Sequence, residues 1–332
     1  MTPAEQFTKD IGVSTPIICG PMYPGSNPEL IAAVSEAGGL GVVQPVTMTY
    51  VYGHDFREGL RLIKRNTSKP FGVNFTLIKA NKTYEKRMQE WLEISIEEGV
   101  NFFLTSLGNP DWVVKRAHNK GIKVYHDVPN RKFALKVVDT GVDGLICVNN
   151  RAGGQTGMIS PEEMIEQLHD LNLPLVCAGG VGDEKDFRKA LKMGYAAVQM
   201  GTRFLATNEC QTPNDYKEAI VNSEEKDIVW TNKMAGVNSS VILTPDIEKL
   251  GLKAGPITSK LLKGRRTKKW VRNYYMLRSM FRFKKVANKP GYGQYWQAGK
   301  GVGGIHKIEP AGEVVKRFNT AYNAFINEQY KM

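Results

Sequence analysis

Cysteine is scarce in this chain, which has four cysteines among 332 residues and no pair at the spacing of a metal-binding or redox motif. Cys19, Cys147 and Cys177 fall within apolar runs, and Cys210 follows later. This pattern excludes a small disulfide-stabilised secreted module and offers no metal site. We therefore expect buried, reduced thiols in an intracellular protein.

Long apolar runs are also missing. No uncharged stretch approaches the roughly 20 residues that a membrane-spanning helix needs. The chain starts MTPAEQFTKDIG, which lacks the basic segment and following apolar segment of a secretory signal. These absences favour a cytoplasmic protein that does not enter a membrane.

Acidic residues are absent from positions 263–285, which carry ten basic residues and much of the formal net charge of +12. One interpretation is a solvated amphipathic helical region, with Trp270, Tyr274, Leu277 and Phe281 facing the protein at helical spacing. A docking surface for an acidic substrate or partner is the second interpretation. Nucleic acid, which the interleaved aromatic residues could stack on, is the third and least favoured one.

Eight short apolar runs, rich in β-branched residues, recur along the first two-thirds of the chain. They are apolar almost throughout instead of alternating, which is typical of parallel strands covered on both faces. The runs are IICG (17–20), LGVVQP (40–45), FGVNFTL (71–77), FFLTSL (102–107), KVYHDV (123–128), GLICVN (144–149), LVCAGG (175–180) and AVQMGTRF (197–204).

Helical segments lie between these runs. PELIAAVSEAGG has an apolar stripe and a Gly-Gly stop, and Asn109-Pro110 and Ser160-Pro161 each place a capping residue before a proline. Successive runs begin about 20 to 30 residues apart, as strand–helix units do. Eight such units predict an α/β fold, a closed (β/α)8 TIM barrel, with an open doubly wound sheet as the alternative.

The strand pattern stops after the eighth run. We predict a TIM barrel over residues 1–211, a smaller and mainly helical domain over 212–300 inserted after strand eight, and a C-terminal segment over 301–332. This last segment contains the amphipathic pattern PAGEVVKRFNTAYNAFINEQY, which we expect to form a helix that packs back on the barrel.

Glycines follow the seventh and eighth strands, in AGGVGD and QMGTRF. In a TIM barrel the strand C-termini form the active site, and a phosphate commonly binds between the last two strand ends. Gly179, Gly180 and Gly201 have no side chains to obstruct an anion, and their backbone N–H groups can donate to phosphate oxygens, as can the Thr202 hydroxyl. Simple turn chemistry is the alternative.

Two further strand ends carry side chains suited to a flat heterocycle. The turn GPMYPG after strand one is expected to project Met22 and Tyr23 over the barrel mouth, and Asn74 interrupts the apolar strand three. Because an asparagine side chain both donates and accepts hydrogen bonds, it suits a flavin ring, which presents both kinds of group. A structural hydrogen bond at the strand end is the other interpretation of Asn74.

Six motifs in this order resemble those of the nitronate monooxygenase family, formerly called 2-nitropropane dioxygenases, and of the related FMN-dependent enoyl-acyl-carrier-protein reductases. They cover residues 16 to about 207, and a closing GKGVGGIHKIEPAGEVV from Gly299 resembles the family's return segment. The motifs are PIICGPM, SEAGGLGVV, KPFGVNF, NNRAGGQTG, LVCAGGVGD and AVQMGTRFLAT.

This resemblance implies a barrel that binds FMN noncovalently. The turn after strand one and the loop Ala152–Gln155 should lie beside the ring, strand three at its polar edge and the last two strand ends at the phosphate. The residues implied to contact FMN are Pro21, Met22, Asn74, Asp127, Ala152, Gly153, Gly179, Gly180, Gln199, Gly201 and Thr202.

Gln155 departs from the family pattern, in which the motif usually reads AGGH and the histidine is the proposed acid/base group. A carboxamide does not titrate near neutrality, so Gln155 cannot take a proton from a nitroalkane. Losing such a base costs on the order of 10²- to 10⁴-fold in rate. Gln155 can still donate a hydrogen bond to a substrate oxygen or to a preformed nitronate, and loop packing is its alternative role.

Strand five departs as well, because relatives often carry a lysine near the flavin where YHDVPN offers Asp127. A carboxylate there opposes negative charge on the flavin unless it is hydrogen-bonded or protonated. A slip of one residue would bring His126 to the site instead. Beside Gln155, His126 and Tyr23 are therefore the candidate catalytic groups.

The implied function is that of an FMN-dependent oxidoreductase acting on a small molecule. One activity is the oxidation of alkyl nitronates with O2 to a carbonyl compound and nitrite. Another is NAD(P)H-dependent reduction of a quinone, an enoyl thioester or another acceptor. A barrel that binds FMN or another phosphate ligand without catalysis is the alternative from a different class, and the sequence leaves a homodimer open.

Overall fold

The computed structural model describes residues 1–78, 82–233, 238–253 and 294–331, together with Gly255, Thr267 and Val271. Apart from Thr267 and Val271, the basic segment 263–285 lies outside these residues, and so does its predicted apolar face. No helix in the described part of the chain combines the length and the apolar composition needed to cross a membrane.

Eight parallel strands close into a barrel, and each strand lies within one of the predicted runs, so the predicted TIM barrel is confirmed. The first and last strands pair with each other, and Ile17 is aligned with Val198 where they meet. The barrel strands are β1 (Ile17–Cys19), β2 (Leu40–Val43), β3 (Phe71–Thr76), β4 (Phe102–Ser106), β5 (Lys123–Val128), β6 (Gly144–Val148), β8 (Leu175–Ala178) and β9 (Ala197–Met200).

Helices surround the barrel and connect its strands. Ser160 caps one of them as predicted, because its hydroxyl accepts from the Glu163 N–H at 3.1 Å and Pro161 occupies the first helical turn. The helices with described bounds are α1 (Pro3–Ile11), α2 (Pro28–Glu36), α3 (Pro45–Tyr50), α4 (Phe56–Asn66), α5 (Lys82–Glu97), α6 (Asp111–His118), α7 (Arg131–Val138), α8 (Pro161–Leu168), α9 (Glu184–Lys192), α10 (Thr202–Leu205), α11 (Asn214–Val221), α12 (Pro245–Leu250) and α13 (Ala311–Gln329).

The barrel interior and the layer between barrel and helices form two separate apolar cores. Along β5, Tyr125 belongs to the interior core and Val124 to the outer one, because successive side chains of a strand point to opposite faces. Helix α1 closes the end of the barrel where the strands begin, by packing Phe7 and Ile11 against interior residues. The open end is therefore the one where the strands finish.

A second, antiparallel sheet forms above the barrel from β7 (Gly154–Gln155), β10 (Ile228–Thr231) and β11 (Ser239–Ile242). The sequence predicted a mainly helical domain for residues 212–300 and did not predict the strands β10 and β11, which lie within it. Each of these two strands has only four residues. Strands this short leave little periodic signal, and β11 pairs with a loop strand far away in the sequence.

Helix α13 packs against α2 and α9. Its Phe318 ring is fully buried and lies 5.3 Å from the ring of Phe187, and Arg317 forms ion pairs with Glu184 and Glu309. The helix therefore covers the outer apolar core at the point where the chain returns to the barrel. All four cysteines are free and buried, as expected.

Phe318→Ala should lower the free energy of unfolding by about 3–5 kcal/mol, because it leaves a cavity between α13 and α9. Urea denaturation of the purified variant measures this loss. Phe133→Ala is the matched control, since that ring is 48% exposed, and it should cost less than about 1 kcal/mol. Equal losses for the two variants would contradict the described packing of α13.

Candidate active site

A cavity of about 260 Å³ opens at the C-terminal ends of the barrel strands. The ends of β1, β5, β6, β8 and β9 form its wall together with residues from the segment 297–301, which returns to the barrel after the basic region. The predicted site residues that line it are Pro21, Met22, Tyr23, Asp127, Ala152, Gly153, Gln155, Gly179, Gly180, Gln199, Gly201 and Thr202.

A larger groove of about 770 Å³ lies on the outside of the barrel among α8, α9 and α13. Several charged side chains in its wall are already paired, as Lys189 is with Glu162 at 2.9 Å. It is also remote from the strand ends that carry the active sites of TIM barrels. The cavity at the barrel mouth is therefore the candidate active site.

Two glycines at the end of β8 take backbone conformations that other residues rarely adopt, with φ of +121° at Gly179 and +84° at Gly180. A Cβ atom on Gly179 would lie 2.4 Å from the backbone nitrogen of Ala152. Among the described residues, the N–H groups of Gly180 and Gly201 donate to no protein acceptor. Backbone N–H groups left free at glycine-rich strand ends can bind an anion, so an anion between these two strand ends fits them.

Asn149 holds the loop NNRAGGQTG against the end of β8. Its Oδ1 accepts from the Arg151 N–H at 2.9 Å, and its Nδ2 donates to the Gly179 carbonyl at 3.0 Å. The Thr156 hydroxyl donates to the Asn149 carbonyl at 3.0 Å, which closes the far end of the loop. One buried residue, through its side chain and its carbonyl, thus fixes the loop that forms one wall of the cavity.

Gly153 faces the return segment, where a Cβ atom on it would lie 2.7 Å from the backbone nitrogen of Gly299. The Gly299 N–H in turn donates to Thr202 Oγ1 at 3.0 Å, and the Lys300 N–H donates to the Arg151 carbonyl at 2.9 Å. The family resemblance implies that the loop Ala152–Gln155 lies beside the flavin ring. The structure shows that at Gly153 the close neighbour is the chain's own return segment.

Three polar side chains face the upper barrel interior from β3, β5 and β9. Asn74 Oδ1, Asp127 Oδ1 and Gln199 Oε1 are buried and accept no hydrogen bond from the described residues. Since buried polar atoms are seldom left unpaired, the arrangement fits a ligand with hydrogen-bonding groups along one edge. Amide side chains can present either their oxygen or their nitrogen, so Asn74 and Gln199 can meet acceptors as well as donors.

Asn74 lies outside the cavity wall itself and is only 2% exposed. Its Nδ2 donates to Thr76 Oγ1 at 3.3 Å, which is the structural hydrogen bond that the sequence allowed. Its Oδ1 is buried and has no hydrogen-bond partner among the described residues.

Asp127 lines the cavity at the end of β5. Burial raises the pKa of its carboxyl to about 7, because a charge at this position lies in a poorly solvated interior. Near neutral pH a large share of Asp127 is therefore the neutral acid, which can donate a hydrogen bond. This reduces the conflict between a carboxylate and negative charge on a flavin.

His126 does not reach the cavity. Its ring lies in the layer under the helices, where Nδ1 is 2.8 Å from Thr105 Oγ1, and burial lowers its pKa to about 4. The alternative register, which would have brought His126 to the site, is therefore wrong. Side chains alternate along β5, and the inward position belongs to Asp127.

Tyr23 and Gln155 both line the cavity. Burial raises the pKa of the Tyr23 phenol, so that this side chain stays protonated at neutral pH. The backbone of Gln155 belongs to β7 and is aligned with Ser239 of β11, while the residue itself is exposed at the rim. Both side chains can therefore offer hydrogen bonds to a bound molecule, but neither offers a base at neutral pH.

The cavity also contains residues that the sequence did not suggest. Tyr216 stacks on Trp296, with ring centroids 5.7 Å apart, and its hydroxyl donates to the Gln297 carbonyl. Arg151 and Gly299 line the wall as well, and both stand inside motifs that the sequence made prominent. Their position within those motifs could have identified Arg151 and Gly299 as site residues. No sequence feature pointed to Tyr216 or Gln297.

The model of one protein family, described as nitronate monooxygenase, matches residues 5–320. A nitronate monooxygenase of Pseudomonas aeruginosa is 29% identical over 70% of this chain and 78% of that protein. A (3aS,4S,5R,7aS)-5-hydroxy-7a-methyl-1-oxo-octahydro-1H-indene-4-carboxyl-CoA dehydrogenase of Rhodococcus jostii is 29% identical over 74% of this chain and 67% of that protein.

Solved structures resemble this chain over nearly its full length. FabK from Thermotoga maritima superposes with a TM-score of 0.79 at 25% identity, covering 98% of both chains. Nitroalkane oxidase from Streptomyces ansochromogenes has a TM-score of 0.78 at 21% identity, covering 97% of this chain and 99% of the other. The second likeness supports the barrel fold alone.

Asp127→Asn should make the protein more stable relative to wild type as pH rises. The folded state holds the Asp127 proton up to about pH 7, whereas the unfolded chain releases it near its ordinary value of 3.8. Between these values the wild-type protein therefore loses about 1.4 kcal/mol of stability per pH unit from this group. Urea denaturation of ligand-free protein from pH 4 to 8 measures the difference.

The difference between the two proteins should grow up to about pH 7 and then level off. Asp139→Asn, at an exposed position, is the matched control and should follow wild type across the range. If the difference in unfolding free energy between Asp127→Asn and wild type stayed constant over that range, the folded protein would not raise the pKa of Asp127.

Proposed function

Because the chain belongs to the nitronate monooxygenase family, we propose that it is an FMN-dependent oxidoreductase that acts on small organic molecules at the barrel mouth. The observation that carries the proposal is the pairing of two unsatisfied groups of atoms in one cavity. One is the pair of free N–H groups at Gly180 and Gly201, and the other is the pair of buried side-chain oxygens of Asp127 on β5 and Gln199 on β9. A phosphate joined to a flat polar heterocycle meets both requirements.

FMN, when bound, supplies the electron transfer, which no side chain of the cavity can perform. We assign its phosphate to the N–H groups of Gly180 and Gly201 and to the hydroxyl of Thr202. We assign the polar edge of its ring to Asn74, Asp127 and Gln199. Five other lining residues then exclude water from the faces of the ring, and they are Pro21, Met22, Ala152, Gly153 and Gly179.

The cavity suits a substrate that arrives already deprotonated. Tyr23 is a protonated phenol, Gln155 does not titrate, and His126 lies outside the cavity. Both Tyr23 and Gln155 can orient an anionic nitronate by donating hydrogen bonds to its oxygens. The activity best supported is therefore the oxidation of alkyl nitronates with O2 to a carbonyl compound and nitrite.

A second activity is NAD(P)H-dependent reduction of an enoyl thioester or a quinone. The similarity to a Rhodococcus jostii dehydrogenase of a carboxyl-CoA compound favours thioesters among these acceptors. Hydrogen bonds from Tyr23 and Gln155 serve a thioester carbonyl as well as a nitronate. Only the choice of reductant and acceptor distinguishes the two activities.

Anaerobic mixing of the purified yellow protein with each candidate reductant separates these activities. Bleaching of the visible flavin absorbance by propyl nitronate supports nitronate oxidation. Bleaching by NAD(P)H alone, followed by recovery on adding an enoyl thioester or a quinone, supports the second activity. A protein that binds FMN and is bleached by neither would be a binding module, and one that binds no FMN would overturn the proposal.

Gln155→His should raise the rate with neutral nitroalkanes by on the order of 10²-fold, because it restores a group that can accept a proton. The rate with preformed nitronates should change little. Oxygen consumption with nitroethane and with ethyl nitronate measures both. Gln211→His, at an exposed position away from the cavity wall, is the control and should change neither rate.

An unchanged nitroalkane rate in Gln155→His, with FMN still bound, would show that this position does not meet the substrate carbon. Gln155→Met extends the test, because it keeps the size of the side chain and removes its hydrogen bonds. It should raise the KM for nitronates and leave FMN binding unchanged.

A further inference from the structure

Arg151 extends its side chain over Gly180 at the end of β8. A Cβ atom on Gly180 would lie 2.5 Å from Arg151 Nε and 2.8 Å from its Cδ, so the missing side chain of Gly180 is what makes room for the arginine. Both residues line the cavity. The cation therefore lies next to the free N–H group of Gly180.

The backbone of Arg151 is held on both sides. Its N–H donates to Asn149 Oδ1 at 2.9 Å, and its carbonyl accepts from the Lys300 N–H at 2.9 Å. These bonds fix the backbone from which the side chain extends. The packing of the side chain over Gly180 then places Arg151 at the wall of the cavity.

The guanidinium is paired with a carboxylate that lies outside the barrel. Arg151 Nη2 donates to Glu225 Oε1, at the 3₁₀ turn Glu225–Asp227. The two side chains are 30% and 48% exposed, and such exposed ion pairs contribute little to stability. A dianionic phosphate can therefore draw the guanidinium away from Glu225 at little cost.

Arginine suits this role better than lysine. Its planar fork can donate two parallel hydrogen bonds to a phosphate, in addition to those from backbone amides. In the described part of the chain, Glu225 is the only side chain that pairs with the Arg151 guanidinium. Other N–H groups of the guanidinium can therefore donate to a phosphate.

We propose that Arg151 is a ligand of the FMN phosphate and that Glu225 is a competing anion, which pairs with the guanidinium in the absence of flavin. This inference rests on the proposed function, because it names a further residue for the same cofactor. It makes the chain selective for the phosphorylated flavin over riboflavin, which shares the ring and lacks the phosphate.

The test compares the affinities of the flavin-free protein for FMN and for riboflavin, measured by quenching of flavin fluorescence. Arg151→Gln should weaken FMN binding about 10- to 100-fold, the usual worth of hydrogen bonds to a charged group. Riboflavin binding should stay within about twofold of wild type, because the ring contacts are untouched. The FMN affinity of Arg151→Lys should lie between those of wild type and Arg151→Gln, since lysine keeps the positive charge and loses the planar fork.

Arg188→Gln is the matched control, because Arg188 is also a partly exposed arginine paired with a glutamate, Glu328, but lies outside the cavity wall. It should bind both flavins as wild type does. Glu225→Gln provides a test in the opposite direction, and it should tighten FMN binding about two- to fivefold by removing the competing anion.

An unchanged FMN affinity in Arg151→Gln would overturn the inference, and so would equal losses for FMN and riboflavin, which indicate a structural role. If Arg151→Gln does not fold, Glu225→Gln decides the question instead. The inference is then overturned if Glu225→Gln binds FMN no more tightly than wild type does. Failure of wild type to bind either flavin would be a different result, because it removes the proposed function itself.

Discussion

Direct contact between main chains holds the mouth of this barrel together. Gly153 meets the backbone of Gly299, and a Cβ atom on Gly182 would lie 1.9 Å from the carbonyl oxygen of Gly301. A side chain at these positions would force the return segment away from the ends of β6 and β8. The hydrogen bond from Gly299 to Thr202 would be lost with it, and the cavity would lose one wall. The glycine-rich motifs are thus needed to assemble the site as well as to admit a ligand.

Within that frame, the chemistry of the cavity is set by what burial does to each polar group. Burial raises the pKa of Asp127 to about 7, so that a large share of it is neutral near that pH, and Tyr23 stays protonated. Hydrogen-bond donors therefore surround the cavity, and the positive charge in its wall comes from Arg151. Such a cavity favours anionic or strongly hydrogen-bond-accepting ligands, which agrees with a phosphorylated cofactor and with substrates such as nitronates or thioester carbonyls.

The barrel could be predicted from the sequence because each strand is a compact apolar run and the glycines mark the strand ends. Because the strands are apolar almost throughout, the sequence does not show which way individual side chains point. Strands buried on both faces show no polar–apolar alternation, so nothing in KVYHDV indicates that Asp127 points inward and His126 outward. Only the pairing of β5 with its neighbours settles that choice.

Contacts between distant parts of the chain account for what the sequence could not predict. β11 pairs with the loop strand β7, and Tyr216 reaches the cavity through its stacking on Trp296. Arg151 stands inside a prominent motif, but its position over Gly180 depends on the tertiary structure. Local patterns thus located the site, whereas tertiary contacts decide which side chains it contains.

A crystal structure of the protein grown with saturating FMN tests the central claim most directly. The account predicts phosphate oxygens within hydrogen-bond distance of the Gly180 and Gly201 N–H groups, with the ring across the barrel mouth next to Asp127 and Gln199. FMN bound elsewhere, for example in the outer groove between α8 and α9, or a barrel mouth that remains empty at saturation, would contradict it.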